Sequence, residues 1–118
     1  MREQTERLVR GPGQVVPLPV LADTLLDQAR GHTSGRAATT VASGAGLRAT
    51  VIAMTEGTEL SEHDSHPSAT LQILRGSVRL HSANREWLVD EHAIVTIPPQ
   101  RHGLTAISDA VILLTVAL

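Results

Sequence analysis

Two periodicities divide the chain. From Leu18 to Ala29, apolar residues recur every three or four positions (Leu18, Leu21, Ala22, Leu25, Leu26, Ala29), with Asp23, Thr24, Asp27 and Gln28 between them. That is the spacing of an amphipathic helix. Pro19 suits a first helical turn and Gly31 a C-terminal stop, so a helix is expected over about residues 20–30. From Arg36 onward the pattern shortens to strands and turns. "RAATTVAS" and "LRATVIAM" flank a "GAG" turn at Gly44–Gly46; "ATLQILR" and "SVRLHS" flank Gly76; "WLVD", "AIVTI", "GLTAI" and "AVILLTVA" come after them. About eight or nine short strands at such spacings predict a β-sandwich or small barrel. Residues 1–18 read as an extended leader. They include the flexible "GPG" at Gly11–Gly13 and all but the last residue of the proline-stiffened "VVPLP" at Val15–Pro19, since a residue preceding proline avoids helix. Residues 19–118, helix included, form one domain.

Composition narrows the class. At 118 residues with 42% hydrophobic content, one domain can bury most of its apolar side chains. There is no cysteine, which removes disulfides, thiolate metal ligands and thiol nucleophiles. All ten basic residues are scattered arginines and the formal charge is −2, so a phosphate-backbone footprint for nucleic acid is missing. One Trp and no Phe or Tyr leave no stacking platform for single strands. No apolar run has the length of a membrane span and no signal peptide opens the chain. A cytoplasmic protein without membrane or nucleic-acid partners is expected.

Histidines carry the candidate chemistry. "SEHDSHPSATLQILRG" holds His63 and His66, and "HAIVTIPPQRHGLTA" holds His102. With Gly57 six residues before His63, and Gly76 closing the next hairpin, the first stretch resembles the cupin motif G-x5-H-x-H-x3-4-E-x6-G. The second, with Pro98 and His102, resembles the later cupin motif G-x5-P-x-G-x2-H-x3-N. The chain is similar to a small single-domain cupin of the cupin-2 type over Arg36 to Leu118. The resemblance implies an all-β fold, a double-stranded β-helix or jelly-roll-like barrel, with the helix added at its N-terminus. It also implies a divalent metal (Zn, Ni, Fe or Mn) or a small ligand in the barrel cavity, with His63 and His102 pointing inward; His66, one residue past the family's second histidine, is the candidate third metal ligand, the alternative being an exposed turn histidine. No organic cofactor is expected.

The motifs are degenerate. The family's second histidine falls on Ser65, and its glutamate on Ala69 or Thr70. In the second motif His92 and Gln100 stand at glycine positions, the Pro-to-His interval is one residue short, and Ala106 replaces asparagine. Strand residues two apart share a face, whereas residues three apart do not. His63 and His66 therefore converge only where the chain bulges or turns; the alternative register turns Asp64 and His66 inward. Gln72 belongs on the face away from Ala69.

The other polar residues have plainer readings. His81 and His92 suit hairpin surfaces, and His32 lies just past the helix stop. Arg48 and Arg75 suit exposed strand faces, Arg48 gating a pocket if its face turns in. Trp87 suits packing against a hairpin or the helix. No residue is assigned a catalytic role. Three classes stay open: a metal-dependent enzyme on a small polar molecule, a metal-free ligand sensor, and a dimerisation module. A homodimer is expected, because small cupins commonly pair. The chain offers an apolar arm at Val15–Leu18 and an "AVILLTVA" strand taken as exposed.

Overall fold

A computed structural model describes residues 12–63 and 68–118, with the backbone alone at Glu62 and His63. Residues 1–11 of the expected leader, and Asp64 and His66 of the candidate site, lie outside the described residues.

Helix α1 spans Leu18–Arg30, beginning two residues before Val20. Pro17 stands before it in an extended conformation and its carbonyl accepts the Leu21 N–H at 3.2 Å. Pro19 loses nothing in the first turn, where amides have no intrahelical partner. Nine strands come after it: β1 Arg36–Ser43, β2 Leu47–Met54, β3 Glu59–His63, β4 Ala69–Arg75, β5 Val78–Ser82, β6 Glu86–Val89, β7 Ile94–Thr96, β8 His102–Ala106 and β9 Ala110–Ala117. Of these, β3 has the weakest apolar alternation, with only Leu60 among polar residues. It exists because β8 offers it a partner.

The strands form two sheets, one ordered β1-β2-β9-β4-β7 and one ordered β3-β8-β5-β6, with antiparallel pairing throughout. Between them lies a core of Met54, Leu71, Ile73, Val78, Leu80, Val89, Leu104, Ala106, Ala110 and Ile112, all buried. Val51, Ala53 and Val111 point the other way, where Ala22, Leu25, Leu26 and Ala29 of α1 cover them. The large sheet is therefore buried on both faces in its centre, which explains why β2 and β9 read as near-continuous apolar runs.

This corrects one premise of the dimer expectation. The "AVILLTVA" strand is not exposed: β9 lies between β2 and β4, with Val111 and Ile112 both essentially inaccessible. In the arm at Val15–Leu18, Val15 is 85% exposed, whereas Val16 is half-buried and Leu18 opens α1 and packs against the helix–sheet layer. Trp87 packs at the margin of the sandwich core, opposite Leu80, with the Arg85 guanidinium 4.8 Å from its ring centroid.

Three polar ties fix the layers. Arg75 Nη1 donates to Asp23 Oδ1 at 2.6 Å and Nη2 to the Pro19 carbonyl at 3.3 Å, pinning the start of α1 to β4. Arg30 donates twice to Asp109, at 3.0 and 3.2 Å, pinning its end to the β8–β9 turn. Asp109 also accepts the Glu56 N–H at 2.8 Å, fastening the turn that leads into β3. Among the described residues no helix is long and apolar enough to cross a membrane.

Candidate functional site

β8 presents alternate residues to the interior. Leu104 and Ala106 belong to the core, and His102, two residues earlier on the same face, is 5% exposed. Its walls are apolar: Leu60, Leu71, Leu80, Ile97, Leu104 and Ile112 line the space it faces. That space measures about 30 Å³, enough to hold water.

A buried imidazole among leucines needs partners. His102 Nδ1 lies 3.0 Å from the Gln100 carbonyl oxygen. A carbonyl only accepts, so Nδ1 carries the proton and donates. A ring nitrogen donating to a carbonyl or carboxylate is an arrangement also found in ligating histidines. The sequence could not reveal this contact, because a backbone carbonyl leaves no mark in residue identity.

Position 63 is placed by an irregularity. Leu60 pairs with Leu104, so a regular ladder would set His63 opposite Arg101 and Glu62 opposite His102. A register shift between Leu60 and His63 instead pairs His63 with His102. Such a bulge inserts one residue and re-aims the rest of the strand. Directly opposed residues of an antiparallel pair are cross-strand neighbours on one face.

The other candidates separate. Ala69 is buried on the inward face of β4 with Leu71, so the glutamate position of the motif brings only a methyl group inside. Gln72 alternates to the opposite face, as expected. His81 Nε2 meets Thr105 Oγ1 at 3.2 Å on the outer face of the smaller sheet, and Arg48, His32 and His92 are exposed. Arg75 is committed to α1. Among the described residues no three His, Asp or Glu side chains are grouped for a metal ion.

One departure from the motif has a visible physical consequence. His92 stands where the resemblance puts a glycine, and it has φ 73°, the left-handed region. Among the described residues it is the one non-glycine with positive φ. Histidine tolerates that region better than most residues, but glycine does so without cost. Gln100, at the other glycine position, has an ordinary backbone.

No protein-family model and no curated protein matches the sequence. The fold has clear counterparts among solved structures. A conserved protein of unknown function from Streptococcus pyogenes superposes with TM-score 0.66, at 24% identity, over 73% of this chain and 76% of that one. An RmlC-like cupin from Desulfovibrio desulfuricans gives TM-score 0.63 at 19% identity, covering 70% of this chain and 81% of the other. An RmlC-like cupin from Shewanella frigidimarina gives 0.62 at 16%, covering 71% and 77%. The fold is that of a small cupin. At these identities the likeness establishes the cupin architecture and carries no activity with it. Within that architecture, this chain keeps one buried inward histidine and places a second opposite it in register.

Proposed function

We propose that this cupin binds a divalent metal ion at the open end of its sandwich, with His63 and His102 as imidazole ligands and His66 as the third. The observation that carries this reading is the bulge in β3, which sets His63 rather than Glu62 opposite His102. The cavity that His102 faces and its Nδ1 contact to the Gln100 carbonyl support it. The donor chemistry fits: neutral imidazoles suit Zn, Ni and Fe, and a His₃ set with open positions is chemically workable. A metal so held would supply Lewis acidity to a small molecule entering from solvent. The chain's own contribution is to orient the His102 ring through the Gln100 carbonyl and to surround it with apolar walls.

A second reading comes from Ala69. With a methyl group at the carboxylate position and leucines around it, the cavity also suits a metal-free module for ligand sensing or dimerisation. Titration of untagged protein with zinc and nickel at neutral pH, by calorimetry, separates the two. Saturable binding that is abolished by His63→Ala and by His102→Ala, and weakened by His66→Ala, supports the metal site. No binding by wild type leaves the metal-free reading. Loss with His66→Ala alone selects the register in which Asp64, not His63, faces in.

A further inference from the structure

The register of the large sheet brings an arginine to the mouth of the space that His102 faces. On one face of β2, Met54, Ile52, Thr50 and Arg48 pair in turn with Ala110, Ile112, Leu114 and Val116 of β9. Met54, Ala110 and Ile112 belong to the sandwich core, so this is the inner face. Ile112 and Leu114 line the space beside His102, and β2 leads outward along it from buried Met54 to exposed Arg48. Val116 pairs on its other side with Ala69. Arg48, Val116 and Ala69 therefore form one row across three strands, with Arg48 two strand spacings, about 10 Å, from Ala69. Ala69 is a position where the cupin motif has its glutamate.

We propose that Arg48 is the anion-binding group of this cavity and that its ligand is a small aliphatic carboxylate. The inference deepens the reading of the His102 cavity as a binding site and rests on it. Arg30, Arg75 and Arg79 are each ion-paired, whereas among the described residues no acceptor meets the Arg48 guanidinium. Glu59 of β3 pairs with Thr105 on the outer face of the smaller sheet, so it is turned away from the mouth. The motif's carboxylate is thus replaced by a methyl group, and a guanidinium stands in the same row. A ligand that brings its own carboxylate supplies the charge that Ala69 omits. The planar fork of arginine takes both carboxylate oxygens, and low-dielectric walls beside it strengthen the attraction. Those walls, Leu60, Leu71, Leu80 and Leu114 among them, favour a short apolar body over a second charge.

Lactate, with its neutral analogue lactamide as control, tests this in the full chain, with and without zinc, by amide ¹H–¹⁵N shifts. Lactate is expected to bind saturably with Kd on the order of 1 mM, and lactamide roughly tenfold more weakly or worse. Shifts should concentrate at residues 48–50, 69–71, 102–104 and 114–116. Arg48 is exposed, so Arg48→Gln should keep the wild-type unfolding midpoint and the wild-type zinc affinity while weakening lactate roughly tenfold or more. The two readings fail separately. Absence of zinc binding removes the metal ion, yet lactate binding that Arg48→Gln weakens in the zinc-free protein upholds this proposal. Zinc binding by wild type with no saturable lactate site, with lactamide equal to lactate, with shifts centred elsewhere, or with lactate affinity unchanged in Arg48→Gln would each overturn it and leave the metal site standing. Any of those four lactate results in a protein that also binds no zinc would overturn both.

Discussion

The helix is the part of this molecule whose energetic role can be worked out most directly, and Leu25→Ala is the change that tests it. Leu25 is 3% exposed and packs with Ala22, Leu26 and Ala29 of α1 against Val51, Ala53 and Val111 of the sheet. Truncation removes three carbon atoms from this layer, about 2.4 kcal/mol at ~0.8 kcal/mol per buried methylene. A cavity adds to that. Ala22, Ala29 and Ala53 have single methyl groups and cannot reach into the space, and the strands behind them are locked in a ladder. Relaxation is therefore poor, which places the cost in the upper part of the measured 2–5 kcal/mol range, about 3–4. For a chain of 118 residues, ~2.1 cal/mol/K per residue of unfolding entropy makes 1 kcal/mol worth roughly 4 °C. The thermal midpoint should fall by about 12–16 °C. Thermal and urea unfolding monitored by circular dichroism would measure it. Leu88→Ala, at a leucine 65% exposed on β6, serves as the control and should stay within about 0.5 kcal/mol of wild type. Equal shifts for the two variants would refute the reasoning, because the helix would then contribute no burial to the domain.

The same geometry fixes three further outcomes. Gly76 has φ 75° and a Cβ there would run into the Asp109 carbonyl, so Gly76→Ala should cost more than about 2 kcal/mol in denaturant unfolding; a near-wild-type midpoint would show that the turn relocates freely. Asp109 is held below the ordinary carboxylate value of 3.8, first by the Glu56 N–H and then by Arg30. The folded value being depressed, its contribution is complete above that pH and disappears as acid titrates the folded carboxylate. Stability should fall more steeply below about pH 4 in wild type than in Asp109→Asn, and identical slopes would remove Asp109 from the account. The homodimer remains a proposal, now resting on the exposed arm at Val15 rather than on β9; a monomer in light scattering at roughly 50 μM would dismiss it.

The helix and most strands were readable in advance because their periodicity reports burial on one face or two. The run from Leu18 to Ala29 alternates with a helical period, and β4 and β5 alternate with a period of two. The cupin resemblance was readable too, since Gly57, His63, Gly76, Pro98 and His102 hold nearly the expected spacing. Strand order was not. The apolar run of β9 fits an exposed interface and a central strand equally well, and only pairing with both β2 and β4 decides between them. The relation of His63 to His102 is of the same kind. Sequence spacing assigns faces within a strand, but the face met across a ladder depends on register, and one inserted residue in β3 exchanges Glu62 for His63. The Gln100 carbonyl that orients His102, and the left-handed backbone of His92, belong to the main chain, which every residue shares. Residue identity determines which faces must be buried and which side chains can bond; which of them meet is settled only when the ladders close.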